Sequence, residues 1–127
     1  LDTAQWKRNR GFPFRFTPPE GHISRDTIKW ADNIIDNAKK KGKNVLSIQH
    51  HPIDDKFVDY DKAMEFYKKH DIRLIITGHN HRYKIRYADD LPMLITPNIS
   101  SGPDNTLEVE ITGNRALSLL NPYNFPE

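Results

Sequence analysis

Four of the six histidines in this chain lie in two short groups, His50-His51-Pro52 and Gly78-His79-Asn80-His81. Each group directly follows a short apolar stretch of the kind that forms a buried strand. Because neutral imidazole is a good ligand for Zn, Fe, Mn and Ni, histidines gathered in this way predict a divalent-metal site. The other two, His22 and His70, follow a loop pattern and a helical pattern, and we expect a structural or solvent-facing role for both.

The two histidine groups predict a metal site only when they are considered together. A single His-x-His pair is usually an accident of surface composition, and neighbouring residues on a strand point to opposite faces. Ligands of open α/β sheets, however, bind at the carboxyl ends of the strands, and a right-handed crossover returns the chain to that same edge. His50 and His79 are about one strand–helix–strand crossover apart, so we expect them to meet there.

Two neighbours of the histidines shape the loops that present them. Gly78 is expected to let the backbone turn tightly as it leaves the strand, and Pro52 stiffens the loop that follows His50. If the second loop is extended, His79 and His81 face the same way. If it turns, they address two neighbouring metal ions, and the sequence leaves both geometries open.

The first part of the chain has the pattern helix, strand, helix, strand. Residues 24–42 predict a helix with a serine N-cap and a left-handed glycine at its C-terminal end. Residues 44–49 predict a strand, a second helix capped by Asp59 or Asp61 follows, and residues 72–77 predict the next strand. This order indicates a parallel pair of strands in an α/β sheet.

The remaining part of the chain is strand-like. Residues 83–87, 91–96, 106–111 and 116–120 predict four short strands separated by turn residues, which suits an antiparallel meander. The chain as a whole therefore predicts an α/β fold in which a parallel βαβ unit is followed by antiparallel strands. Its length fits a single domain spanning residues 1–127.

Composition narrows the class of protein. The 127 residues include 36% hydrophobic and 28% charged side chains, which is ordinary for a soluble globular domain. The net charge of +2 comes from interspersed lysines and acids, so no basic face for nucleic acid is indicated. The chain has no cysteine, which excludes thiolate metal ligands, and no apolar run long enough to span a membrane.

The N-terminal residues show neither an initiator Met nor a signal-peptide pattern. We expect the chain to begin inside a longer or processed protein, from which an upstream signal peptide could have been removed. The sequence fits a soluble protein, cytoplasmic or exported, and does not name the compartment.

Three stretches of the chain together resemble the calcineurin-like metallophosphoesterase family. They are residues 44–52, which end in His-His-Pro, residues 74–81, which end in Gly-His-Asn-His, and Leu1-Asp2-Thr3 ahead of the first helix. The resemblance covers nearly the whole chain. It implies the C-terminal half of a two-sheet αββα sandwich, whose complete form hydrolyses phosphate mono- or diesters.

The resemblance also implies roles for individual residues. His50 and His79 are similar to two ligands of one metal ion, and His81 is similar to a ligand of a second ion. His51 matches no ligand position, so it is expected to support the ligands or face the substrate. The cofactors implied are two divalent ions of Mn, Fe, Zn or Ni, which activate the water that attacks phosphorus.

Two residues beside the histidines of the second group are candidates for contact with a phosphate-ester substrate. They are Asn80 and Arg82, and the guanidinium group of Arg82 suits a phosphate oxygen better. The segment at residues 6–16, rich in Arg and Phe, either covers the site as a flap or packs against the rest of the domain, which we favour.

The chain departs from the family pattern in what it lacks. The family's earlier motifs, Asp-x-His, Gly-Asp-x-x-Asp and Gly-Asn-His-Asp or -Glu, do not occur in it. Those motifs carry the bridging aspartate, the asparagine ligand and the catalytic histidine, so no catalytic residue is assigned here. We therefore expect the chain to hold only part of the active site and to need the N-terminal half of the domain as its partner.

Three other interpretations stay open. The chain could be a non-catalytic scaffold or interaction module on the same fold, since fold alone does not give function. A metallo-β-lactamase-like hydrolase would need the run His-x-His-x-Asp-His, but His81 is followed by Arg-Tyr-Lys. In the third interpretation, the histidines are incidental to a plain α/β domain.

Overall fold

The computed structural model describes residues 1–3, 20–97, 107–112 and 115–120 of the chain. Within those residues it is a mixed α/β fold with two helices, a four-stranded sheet and a two-stranded sheet. No helix in these ranges is both long and apolar enough to cross a membrane. The elements in chain order are α1 (Arg25–Lys40), β1 (Ser47–Gln49), α2 (Tyr60–Lys69), β2 (Ile75–Thr77), β3 (Lys84–Ala88), β4 (Leu91–Ile95), β5 (Leu107–Thr112) and β6 (Arg115–Leu120).

Helix α1 has the ends that its sequence predicts. Oγ of Ser24 accepts a hydrogen bond of 3.1 Å from the amide of Thr27, which satisfies one of the free N–H groups of the first turn. At the other end Gly42 has a φ of 68°, and the amide of Lys43 donates to the carbonyl of Ala38 at 3.0 Å. This is a Schellman motif, so both predicted caps are confirmed.

Helix α2 also begins near its predicted cap and ends in a Schellman motif. Asp59 is the N-cap residue, although its carboxylate makes no cap hydrogen bond. Asp71 takes the left-handed position with a φ of 45°, and the amide of Ile72 donates to the carbonyl of Tyr67 at 3.0 Å. Because Ile72 closes the helix, the strand predicted from residue 72 begins only at Ile75.

The four-stranded sheet has the order β1-β2-β4-β3. The predicted parallel pairing of β1 with β2 is confirmed, and β4 adds to β2 in parallel as well. Strands β3 and β4 pair antiparallel as predicted, but the continuous four-strand meander is wrong, because β4 also pairs with β2 in parallel and β5 and β6 form a separate sheet. The burial explains the order: β4 is almost entirely buried and needs neighbours on both sides, whereas the exposed, Lys- and Arg-bearing β3 suits an edge.

Strands β5 and β6 form an antiparallel hairpin, as predicted, with Leu107 opposite Leu120 and Thr112 opposite Arg115. The predicted turn between them at residues 113–114 lies outside the described residues. So do the loop segment at residues 6–16 and the predicted turn at residues 101–105.

One face of the four-stranded sheet packs against the helices. Ile75 and Met93, which are partners in the ladder, belong to the same buried cluster as Ala31 and Ile35 of α1 and Tyr67 of α2. Burying apolar side chains of this size contributes about 1.5–3 kcal/mol each. The helices are therefore fixed against the sheet by its alternate residues.

The opposite face of the sheet carries a row of apolar residues that is only partly covered. Ile48, Ile76, Leu94 and Ile85 are partners across the four strands. Leu94 is buried, but Ile48 is 63% exposed and Ile85 is 53% exposed. Both ends of the row therefore present apolar surface to solvent.

A buried histidine connects the two helices. His70, at the C-cap of α2, is 2% exposed, and its Nε2 donates a hydrogen bond of 2.5 Å to Oδ1 of Asp32 in α1. The same oxygen accepts a hydrogen bond from Nζ of Lys69 at 3.0 Å. The pKa of Asp32 is lowered from its ordinary value, chiefly by the hydrogen bond from His70. The expected structural role of His70 is in agreement with this position.

We predict that Asp32→Asn lowers the free energy of unfolding by about 1–3 kcal/mol, because His70 stays buried while it loses a charged acceptor. Asp36→Asn is the matched control. Oδ1 of Asp36 lies 3.8 Å from Nδ1 of His70, which is too long for a hydrogen bond, so a change within about 0.5 kcal/mol is expected. Urea denaturation at neutral pH measures both.

The same pair has a defined pH dependence. Because the pKa of Asp32 in the folded chain lies below the ordinary value of 3.8, its contribution is complete above that value and is lost as the pH falls below it. The difference in unfolding free energy between wild type and Asp32→Asn should therefore keep its full size down to about pH 4 and shrink between about pH 4 and pH 2. A difference that stays constant over this range would contradict the assignment.

Candidate metal centre

The parallel strands β1 and β2 end side by side and bring the two histidine loops together. Their last paired residues are Gln49 and Thr77, and one further hydrogen bond of 3.0 Å runs from the amide of Gly78 to the carbonyl of His50. Nε2 of His50 then lies 3.3 Å from Nδ1 of His79. The predicted meeting of His50 and His79 at the carboxyl edge of the sheet agrees with this geometry.

A third imidazole joins these two. One ring nitrogen from each of His50, His51 and His79 lies within 4.8 Å of the others. The centroid of the His51 ring lies 4.8 Å from that of the His50 ring and 4.5 Å from that of the His79 ring. His50 is exposed, His79 is half-buried and His51 is only 4% exposed. In the part of the chain that the structure describes, this group contains imidazoles and no carboxylate.

His51 is held by Thr3, a residue distant in the sequence. Oγ1 of Thr3 accepts a hydrogen bond of 3.0 Å from the backbone amide of His51 and makes another of 3.1 Å with Nδ1 of its ring. Thr3 is fully buried. The second ring nitrogen of His51, Nε2, is buried and has no hydrogen-bond partner among the described residues. An unpartnered buried nitrogen beside two other imidazoles is the feature that a bound ion or its ligands would satisfy.

A second network supports the same loop from the sheet side. Nε2 of Gln49 donates a hydrogen bond of 2.7 Å to the carbonyl of His51, and the hydroxyl of Tyr67 donates to Oε1 of Gln49. Gln49 and Tyr67 are both buried. Helix α2 therefore contributes to the position of the histidine loop through a chain of two hydrogen bonds.

The electrostatics keep two of the imidazoles neutral. The pKa of His51 is lowered to about 4, first by burial and then by the neighbouring His79 and His50. The pKa of His79 is also lowered, by burial and by His50, although the charge of Asp54 opposes this shift. Both rings are neutral at pH 7, and a neutral imidazole has the free lone pair that metal binding needs.

The backbone of the second loop is turned rather than extended. His79 and His81 have φ values of 69° and 55°, in the left-handed region that non-glycine residues seldom adopt. Gly78 has no such conformation, so the expectation that the turn depends on this glycine is wrong. Backbone strain of this kind costs on the order of 1–3 kcal/mol and is concentrated at functional sites.

The structure separates His81 from the group of three imidazoles. His81 is exposed and is not a member of that group, but it is close enough to lower the pKa of His79. The two residues proposed for substrate contact, Asn80 and Arg82, are exposed on the same loop. Their side chains are therefore open to solvent beside the histidines.

Sequence reasoning missed the residues that hold the histidines. Thr3 lies 48 positions before His51, and Tyr67 lies 18 positions after Gln49. Neither separation corresponds to a motif or to a helical or strand period. The signal that could have pointed to Thr3 is the Leu-Asp-Thr stretch, whose hydroxyl has no obvious surface role.

Gly21 also contributes to this part of the structure, because there is no room for a side chain at its position. A Cβ added there would lie 2.6 Å from Cβ of His51 and 2.5 Å from the ring of Phe57. At Gly78, by contrast, the nearest atom to an added Cβ would be Nδ1 of His50 at an ordinary 3.7 Å.

Comparison with known families adds one finding. A family model described as calcineurin-like phosphoesterase matches residues 2–83, which is more than half of the chain. The matched stretch contains Thr3 and both histidine groups. No curated protein matches the chain.

We predict that Gly21→Ala destabilises the fold by about 1–3 kcal/mol, because the added methyl group overpacks against His51 and Phe57. Gly78→Ala serves as the control. It should leave the free energy of unfolding unchanged or raise it by less than about 1 kcal/mol, since the position is neither crowded nor left-handed. Chemical denaturation followed by circular dichroism compares the two, and equal losses in both variants would be the contrary result.

Proposed function

Because the chain belongs to the calcineurin-like phosphoesterase family, whose members are metal-dependent phosphoester hydrolases, we propose that it forms part of the active site of such an enzyme. The proposed reaction is hydrolysis of a phosphate mono- or diester, for which two bound divalent ions would activate the attacking water. The observation that carries the proposal is the cluster of His50, His51 and His79 at the carboxyl edge of parallel strands.

The donor chemistry of the cluster fits a divalent transition metal. Imidazole nitrogens suit Zn, Fe, Mn and Ni, whereas Mg and Ca prefer sets of oxygen ligands. His50 and His79 present ring nitrogens 3.3 Å apart, close to the separation of two ligands on one ion. We assign these two to one ion and His81, on the turned part of the same loop, to a second.

When bound, such ions polarise the phosphoryl oxygens and lower the pKa of water. The residues of this chain provide the binding and the orientation. His50 and His79 would bind through their ring nitrogens, and Arg82 and Asn80, which are exposed on the loop that carries His79, are the candidates for orienting a phosphate group. A guanidinium group can form two parallel hydrogen bonds with phosphate oxygens, so Arg82 is the stronger candidate.

We further propose that the site is completed by another part of the domain, which supplies carboxylate ligands and the general acid. Two observations support this. The cluster contains no carboxylate within the described residues, and imidazoles alone poorly neutralise two divalent ions. The apolar row on the sheet ends in the exposed Ile48 and Ile85, as expected of a face that a second layer covers.

We predict that His79→Ala lowers the affinity of the chain for Zn²⁺ or Mn²⁺ by about 100-fold or more, because it removes a ligand that the sheet presents. Asp55→Asn is the control, since Asp55 is exposed near the first loop and lies outside the cluster. Its affinity should equal that of wild type. Isothermal titration calorimetry with each metal in phosphate-free buffer measures both variants.

The catalytic proposal has a separate test. With Mn²⁺ and p-nitrophenyl phosphate or its bis ester, the isolated chain should show no turnover, because the proposal assigns the carboxylate ligands to another part of the domain. A longer protein that carries the missing motifs should be active and should lose that activity with His79→Ala. Turnover by the chain that survives His79→Ala would refute the proposal, and a longer protein that copurifies with no transition metal would favour the scaffold interpretation.

A further inference from the structure

The hydroxyl of Thr3 is the centre of the contacts around His51. Its oxygen accepts a hydrogen bond of 3.0 Å from the backbone amide of His51 and lies 3.1 Å from Nδ1 of the His51 ring. A hydroxyl oxygen has two lone pairs and one proton, so it can serve both groups at once. A single oxygen atom therefore fixes the backbone of the loop and the rotation of the ring.

The ring of His51 lies against both of the proposed ligand rings. Its centroid is 4.8 Å from that of His50, with the rings nearly perpendicular at 87°, and 4.5 Å from that of His79. His51 is 4% exposed, whereas His50 is open to solvent. The rings of His50 and His79 thus pack against the ring of His51, which the interior of the protein holds in place.

The loop that carries His51 has little freedom to move. The side chain of Gln49 donates a hydrogen bond of 2.7 Å to the carbonyl of His51, and Thr3 forms hydrogen bonds with the amide and the ring of His51. The next two residues, Pro52 and Ile53, are buried. A binding site is precise when the rotamers of its residues are locked by packing and by hydrogen bonds of this kind. Of these contacts, those of Thr3 alone reach the ring.

We propose that Thr3 is a positioning residue of the metal centre, which acts through His51 to hold the imidazoles of His50 and His79 in ligand geometry. This inference rests on the proposed function, because it requires His50 and His79 to bind a metal. The competing account is that His51 is itself a ligand, through the Nε2 that has no partner among the described residues. The test must separate the two accounts.

The first experiment titrates Zn²⁺ into the 127-residue chain and its variants. Thr3→Val keeps the shape and removes the hydroxyl, and it should weaken Zn²⁺ binding by about 10- to 100-fold, the usual effect of losing a group that orients a ligand. Thr3→Ser keeps the hydroxyl and should remain within about threefold of wild type. Wild-type affinity in Thr3→Val, or an equal loss in Thr3→Ser, overturns the proposal.

Thr77→Val is the matched control. Thr77 is as deeply buried as Thr3, at 1% exposure, but its hydroxyl has no partner among the described residues. Its replacement makes the same change of one oxygen to one methyl group without disturbing His51. Its Zn²⁺ affinity should equal that of wild type, and a loss as large as that of Thr3→Val would show an unspecific effect and overturn the proposal.

The second experiment uses the unaltered chain, so it gives a result even if Thr3→Val does not fold. Nitrogen-15 spectra of the histidine side chains are recorded with and without Zn²⁺. Coordination shifts at His50 and His79, with His51 in one unchanged tautomer, support the positioning role. A coordination shift at His51 makes it a ligand and overturns the proposal.

Failure of the inference can be distinguished from failure of the proposed function. If His79→Ala also binds Zn²⁺ like wild type, then the metal site itself is wrong. If His79→Ala loses binding while Thr3→Val keeps it, then the metal site stands and only the role of Thr3 is refuted.

Discussion

The candidate site depends on one continuation of the β-ladder. After the last paired residues of β1 and β2, the amide of Gly78 still donates to the carbonyl of His50 at 3.0 Å. This bond sets the two loops in register at the point where both leave the sheet. Because parallel strands end at the same edge, the side chains that follow have to converge. The 3.3 Å approach of His50 and His79 is a consequence of that register.

The two loops present their histidines by different physical means. The first is held from within, with its amide and ring bound by Thr3, its carbonyl bound by Gln49, and Ile53 buried in the core. The second is exposed from Asn80 to Arg82 and has left-handed backbone at His79 and His81. The site therefore combines one loop that hydrogen bonds hold in place with a second loop of strained backbone, which is an arrangement suited to binding a ligand from the solvent side.

The sequence predicted the parts of the fold that local chemistry controls. Ser24 and Gly42 marked the ends of the first helix because capping depends on one side chain and one backbone conformation. The position of β4 could not be predicted in this way, because adjacent segments favour a hairpin meander and only burial places β4 inside the sheet. For the site, the histidine spacing and the crossover rule indicated that His50 and His79 meet. The hydrogen bond between Thr3 and His51, by contrast, depends on tertiary structure alone.

The hydrogen bonds of the site join distant parts of the chain. Thr3 and His51 are 48 positions apart, and His50 and His79 are 29 positions apart, whereas the helices and the β3–β4 turn consist of local contacts. Closing long loops is slow because it costs entropy before any contact compensates for it. The helices and the β3–β4 pair can therefore form early in folding, and the imidazoles come together late. An assembled histidine cluster thus reports that the chain has already reached its final topology.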